Sequence, residues 1–400
     1  MGALGLARRD AGGGVMSRVK PSLRIDLVQG GLGAGGAEKV VNALARHWSA
    51  AGHEVRVLAL GGDAASYFPY PPEVEVQART GRNAGGRGRD RLDSFLWLKR
   101  RLRERPPDAA VSFLTKVNVM AAAAVGAETT LVISERNNPV VQTAHPVWRV
   151  GTRLALGRAD AVVMQTEAAL ATLPPARRPA AAVIPNPCVF PALARRDRSA
   201  SHDFIAVGRL DRQKGFDLLI EAFARHAAAG GAGTLTIFGE GPERAALGVQ
   251  VRESGLAGRI DLPGATPEPG GWLSGTGIFV LSSRHEGFPN VLVEALGAGF
   301  PVIATDCPWG PGDLVEDRRN GLLVPPGDPA TLAQAMKRMS ADPGLRRALA
   351  ARAPGSVAHL NAKAVLRRWD AVLVDALARR SQRGAVRDQF PADGVSLARR

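Results

Sequence analysis

Cysteine is nearly absent from this 400-residue sequence: Cys188 and Cys307 are the only two. They lie far apart and form no Cys-x-x-Cys pair, which excludes a disulfide framework and a thiolate zinc site. Long apolar runs are missing as well. No stretch of 18 or more apolar residues occurs, which excludes a transmembrane helix. Aromatics are 5% of the chain, few for a surface that stacks single-stranded bases. The opening residues, MGALGLARRDAGGGVMSRVK, contain no continuous apolar core and no clear cleavage site, so they do not read as a secretory signal. Position 6 is Leu where the myristoylation pattern needs Ser or Thr. The expectation is a disordered basic leader over 1–21, starting at Met1 or Met16, on a soluble cytoplasmic protein. Peripheral attachment to a membrane stays open.

Lysine is scarce too. Seven of the 52 Lys plus Arg are Lys, and Asp plus Glu number 37, for a net charge of +15. This excess points to an anionic partner: nucleic acid, acidic lipid or a phosphorylated small molecule. It does not choose among them, and solvated charge with no partner fits equally well.

What is present is alternation. Apolar strand candidates at 23–29, 54–60, 109–114, 130–135, 159–166 and 181–186 are separated by stretches of helical periodicity such as AEKVVNALARHWSAAG (37–52). A second series follows at 203–210, 234–241, 259–264, 277–283, 301–306 and 321–326. Short apolar strands between amphipathic helices read as α/β, doubly wound parallel sheets. Between the series, residues 187–202 are rich in Pro, Ser and charge without periodicity, and read as a linker. The domains are therefore 22–186 and 203–358. A helix over 359–380 then crosses back to the first, and a disordered tail covers 381–400. Two such halves place a ligand cleft between them, at the carboxyl ends of both strand sets.

The loop after the first strand, Gly30–Glu38, contains Gly31-x-Gly33-x-x-Gly36. Glycines there let backbone approach a phosphate at a helix N-terminus. A dinucleotide site also wants an acid at the end of the second strand, but Leu58-Ala59-Leu60-Gly61-Gly62 offers none before Asp63. That leaves a phosphate loop for another ligand, or a packing turn.

In the second half, Glu286 precedes Gly287-Phe288-Pro289, which cannot be helical, and a helix begins near Asn290 with Glu294 one turn in. Two carboxylates flanking free helix amides suit a diphosphate with hydroxyls on either side. Upstream, Gly208-Arg209-Leu210-Asp211-Arg212-Gln213-Lys214-Gly215 places Arg209 and Lys214 at a strand's carboxyl end, positioned to neutralise phosphate.

These residues carry a resemblance. VGRLDRQKGFDLLIEAF (207–223), IFGEGPER (237–244), EGFPNVLVEALGAGFPVIATD (286–306) and NGLLVPPGDPATLAQAM (320–336) resemble retaining glycosyltransferases of family 4, with the GT-B fold. Glu286 and Glu294 match that family's paired-glutamate signature. GGLGAGGAE (30–38) and SERNNP (134–139) are similar to bacterial enzymes that add N-acetylhexosamine, often N-acetylgalactosamine, to lipid-linked or exported polysaccharides. The resemblance implies a nucleotide-sugar donor, UDP-linked, on the second domain and a glycan or polyprenyl-diphosphate-linked acceptor on the first. Arg209 and Lys214 would hold the diphosphate beside Gly208. Glu286 would contact the donor sugar, and Gly287, Phe288, Pro289, Asn290 and Val291 would line sugar and phosphate. Glu294 would bind the ribose, with Gly35 and Gly36 approaching the diphosphate from the first domain. Glu135, Arg136 and Asn137 would face donor sugar or acceptor, where many relatives have a His. His145 lies further on. The implied chemistry needs no metal and no cofactor.

The basic stretch LDSFLWLKRRLRER (92–105) reads as a helix with its apolar face on its own domain and its basic face toward an anionic bilayer. Rival readings are a nucleotide-sugar 2-epimerase, which lacks this Arg–Lys and Glu–Glu set, and a basic nucleic-acid-binding protein. The low aromatic content opposes the latter. A dehydrogenase fails at the second-strand acid.

Overall fold

The computed structural model describes residues 22–389 except 34, 62–65, 81–87, 137–144, 189–196, 267 and 269. Asn137, the leader and half of the linker, residues 189–196, lie outside the described residues. The first sheet holds β1 (Arg24–Gln29), β2 (Glu54–Ala59), β3 (Glu75–Ala78), β4 (Ala109–Phe113), β5 (Thr130–Ser134), β6 (Ala161–Met164) and β7 (Ala181–Val183). Their order is β3-β2-β1-β4-β5-β6-β7. The second holds β8 (Phe204–Val207), β9 (Leu235–Phe238), β10 (Ile260–Gly264), β11 (Ile278–Leu281), β12 (Val302–Thr305) and β13 (Leu322–Val324), in the order β10-β9-β8-β11-β12-β13. Every strand pair is parallel. Helices cover both faces, which is why β4, β5 and β11 are buried throughout and mostly apolar.

The strand absent from the sequence reading is β3. It is a four-residue edge strand, only partly buried, so it lacks the continuous apolar run that marks the others.

Strand order reverses between β1 and β4 in the first sheet and between β8 and β11 in the second. At such points neighbouring crossovers leave on opposite faces and a crevice opens at the strands' carboxyl ends. The loops after these four strands supply Gly35–Gly36, Leu114, Arg209–Lys214 and Ser282–Asn290. Topology thus brings the four segments to one place.

The last described helix returns to the first domain. In the helix Ala362–Gln389, Val365, Trp369, Leu373 and Ala376 recur every three or four residues and are buried in the first domain's core with Ile25, Trp48 and Phe113. Trp48 Nε1 donates to Asp370 Oδ1 at 2.9 Å. The crossing strands of chain meet where Cys188 N donates to Leu360 O and Ala362 N donates to Cys188 O, each at 3.0 Å.

The tail expected to be disordered from 381 is helical to Gln389. Asp160 explains it. This fully buried acid at the start of β6 receives Arg383 Nη1 at 3.2 Å, and its carbonyl accepts from Arg379 Nη1 at 3.3 Å.

Candidate active site

The second domain's wall is built from two loops tied together. Asp211 accepts the backbone N–H of Lys214 and closes a 3₁₀ turn over Arg212–Lys214. Gly215 follows at φ +65°, and a Cβ there would sit 2.3 Å from the carbonyl oxygen of Ser282. Only glycine allows this loop to lie against the end of β11. Ser282 Oγ donates to Lys214 O at 2.9 Å, and Gln213 Nε2 donates to His285 O at 3.0 Å.

That contact sets the central pair. Lys214 Nζ donates to Glu286 Oε1 at 2.7 Å, and Ser283 Oγ donates to the same oxygen at 2.6 Å. Glu286 is 3% exposed. A carboxylate that buried needs a charged partner, and Lys214 is it. Arg209 differs: its side chain is 69% exposed and pairs with neighbouring Asp211, so it is free to turn toward an incoming anion.

The helix Asn290–Gly297 starts at the cleft, where Asn290 N donates to Phe288 O and Leu292 N to Pro289 O, each at 3.0 Å. The first domain's helix Gly36–Ala50 points its own N-terminus at the same place, with Gly35 as the extended N-cap residue. A Cβ on Gly36 would come 2.7 Å from Asn290 Nδ2, so glycine lets the two helix ends meet. Asn290 Oδ1 accepts from Asn186 Nδ2 at 2.6 Å. Glu294 accepts from Lys39 Nζ, a cation of the first domain, at 2.5 Å.

Arg136 is buried behind this junction. Its Nη1 donates to Asn186 Oδ1 at 2.9 Å and to Ile184 O at 3.2 Å. The guanidinium packs on the rings of Trp369 and Phe113, 5.1 and 5.7 Å from their centroids. Burial pushes it down to about 9, with Glu135 acting in the opposite direction. Glu135 Oε2 accepts from Thr115 Oγ1 at 2.5 Å.

Together these groups line a cleft of about 740 Å³. Gly35, Gly36, Arg136, Arg209, Lys214, Phe288, Asn290, Val291 and Glu294 are on its wall. Glu286 stands behind Lys214. Gly208 lies against the Lys214 stem, where a Cβ would be 3.3 Å from Lys214 Cγ. Gly287 and Pro289 flank Phe288 in the loop. Glu135 lines a smaller apolar cavity with Asn118, Ile133 and Met164, while its Oε1 accepts from the backbone N–H of Arg136 at 3.1 Å. His145 caps the helix Pro146–Arg158 by accepting from Val147 N.

Lys39, Asn186 and Leu114 were missed from sequence. Leu114 lines the cleft at φ +76°, a strained conformation for a branched side chain of the kind found at functional sites. No sequence signal marks it. For Lys39 the signal was its place one turn after the glycine loop. Among the described residues, no group of three or more His, Cys, Asp or Glu side chains is arranged to hold a metal ion.

Residues 35–187 match the glycosyl transferase 4-like domain, and residues 201–342 match glycosyl transferases group 1. The chain belongs to this glycosyltransferase family. A lipopolysaccharide core biosynthesis glycosyltransferase, LpsE of Rhizobium meliloti, is 36% identical over 37% of the chain and 42% of its own length. A Campylobacter jejuni α-1,4-N-acetyl-D-galactosaminyltransferase named for a GalNAc-containing undecaprenol-diphosphate substrate is 26% identical. That match covers 82% of this chain and 91% of that one. The chain spans less than half the length of the first curated relatives it matches. Among solved structures, Anabaena HepE in complex with UDP-glucose superposes with a TM-score of 0.72 at 19% identity, covering 88% of this chain and 99% of that one. The fold is GT-B: two Rossmann-like parallel-sheet domains facing a cleft.

Proposed function

We propose that this family member is a retaining hexosyltransferase. It would move an N-acetylhexosaminyl group from a UDP-linked donor to a lipid-linked or polysaccharide acceptor in cell-surface glycan assembly. The observation that supports this most strongly is the buried Lys214–Glu286 pair set opposite the glycine-started helix of the first domain. The named activity of the Campylobacter relative supports the sugar and acceptor class.

In this reading Arg209 and Lys214 meet the diphosphate, the Asn290 helix amides face it, and Glu294 takes the ribose hydroxyls. Glu286 receives hydroxyls of the donor sugar. As the sugar–phosphate C–O bond breaks, negative charge grows on the leaving phosphate, where preorganised cations and amides lower the barrier most. The acceptor hydroxyl attacks from the same face, forms the new C–O bond and passes its proton to the departing phosphate. Configuration at the anomeric carbon is retained. The two cations fill the role of a divalent metal, so turnover is expected to persist in EDTA.

An anionic membrane surface is the second proposed partner. No described helix is long and apolar enough to cross a membrane. The helix Gly88–Glu104 buries Leu98 and Leu102 but exposes Leu92 and Leu96 beside Lys99, Arg100 and Arg103. The helix Pro146–Arg158, which the sequence reading overlooked, exposes Val147, Val150 and Leu154, the last 70% accessible, beside Arg149 and Arg153. Arg91 bridges the two helices, lying 5.4 Å over the Trp148 ring. Aliphatics among cations on neighbouring helices suit an anionic lipid surface.

The donor reading is tested by ligand-induced thermal shift and product NMR. UDP raises the melting temperature where NAD does not, and the product keeps the donor's anomeric configuration. An inverted product would remove the retaining mechanism.

A further inference from the structure

The Lys39–Glu294 pair stands in the way of a bound ribose. Glu294 is the carboxylate assigned to ribose hydroxyls, yet its Oε1 already accepts from a cation of the opposite domain at 2.5 Å. A ribose hydroxyl and that ammonium compete for the same oxygen. Lys39 is the fourth residue of the helix whose glycine N-terminus faces the diphosphate position. Its side chain is 31% exposed, against 12% for Glu294, and a lysine stem has the reach and freedom to swing. Lys214 has no such freedom, because its partner Glu286 is almost fully buried. Arg209 and Lys214 bring charge from the second domain's wall, and on the first domain's wall Lys39 brings charge to the same cleft.

We propose that Lys39 is a further donor-binding residue. In the empty cleft it is parked on Glu294. When the donor enters, Glu294 turns to the ribose and Lys39 moves to a phosphate oxygen. A nucleoside alone must displace Lys39 and leave it without a partner, whereas a nucleoside diphosphate supplies one. Lys39 therefore favours the diphosphate and gives the first domain its own hold on the donor. This inference rests on the nucleotide-sugar reading of the cleft.

Titration calorimetry of the full chain with uridine and with UDP, run in parallel with guanosine and GDP, tests it. In Lys39→Met, uridine is expected to bind a few-fold more tightly and UDP more weakly. The UDP-to-uridine affinity ratio then falls about tenfold or more, the scale of a charge-assisted hydrogen bond. Lys39→Arg keeps most of the ratio. Glu294→Gln weakens uridine and raises the ratio, because Lys39 is then free for phosphate. Equal weakening of uridine and UDP in Lys39→Met would show that Lys39 only orients Glu294 and would overturn the proposal. An unchanged ratio would overturn it too. Wild-type protein that binds neither UDP nor GDP would remove the nucleotide-sugar reading itself, a result distinct from an unchanged ratio.

Discussion

At the scale of single residues, Glu286 has the most demanding position. It is buried, and its partner of opposite charge among the described residues is Lys214. Glu286→Gln keeps the shape and removes the charge, so kcat is expected to fall by about 10²–10³, the cost of losing one preorganised polar group at a reacting centre. The melting curve should remain a single cooperative transition. Glu286→Ala is harsher, since a buried ion pair stripped of one member loses about 3–5 kcal/mol. The cysteines report on the same surroundings. Burial, reinforced by Glu286, pushes the Cys307 thiol up to about 12, and burial with Glu294 does the same for Cys188. Neither is expected to react with iodoacetamide at pH 8 until the protein unfolds, as followed by intact mass; rapid native labelling of Cys307 would contradict the packing around Glu286. Glu286, Lys214 and Arg209 were legible from sequence because glycine, proline and charge at strand ends constrain the loops locally. Lys39 and Asn186 were not, because their partners Glu294 and Asn290 lie on the other domain. Nothing in local pattern says which side chains meet across a cleft.

At the scale of elements, the helix Ala362–Gln389 joins the end of the chain to the site. Trp369 packs 5.8 Å from the Phe113 ring and stacks on Arg136, which in turn holds Asn186. Trp369→Ala is expected to lower the unfolding free energy by about 3–5 kcal/mol in denaturant titration. The apolar stripe made this helix readable from sequence. Its extension past 380 was not, since it depends on Arg379 and Arg383 finding Asp160 far away in the chain. In the second domain, hydrogen bonds from Arg284 hold the Asp217 carboxyl below its ordinary 3.8. A depressed carboxyl stabilises the fold above its unfolded value, and that contribution is lost as pH falls through the folded value. Asp217→Asn should therefore melt earlier than wild type at pH 7, and the gap should close as pH drops below 3.8. A gap that widens in acid would contradict the pairing.

At the scale of the whole molecule, the net charge of +15 divides into parts. Arg209, Lys214 and Lys39 face the cleft. Arg158, Arg380 and Arg383 surround buried Asp160, fastening the last helix to the first domain. Lys99, Arg100, Arg103, Arg149 and Arg153 edge the exposed aliphatics of two first-domain helices. Flotation with anionic vesicles is expected to carry the protein at low salt and release it at high salt. Val150→Asp with Leu154→Asp should abolish flotation while leaving UDP binding intact; absence of flotation at low salt would remove the membrane partner.

The two-domain architecture was legible because parallel strands buried on both faces leave unmistakable apolar runs. The catalytic proposal is tested most directly by nucleotide release from a panel of UDP- and GDP-linked hexoses and N-acetylhexosamines, with an undecaprenyl-diphosphate-linked glycan as acceptor. The expected result is turnover of a UDP-sugar that persists in EDTA and falls at least a hundredfold in Glu286→Gln. Folded wild-type protein that releases nucleotide from no member of the panel, or a Glu286→Gln variant as active as wild type, would contradict it.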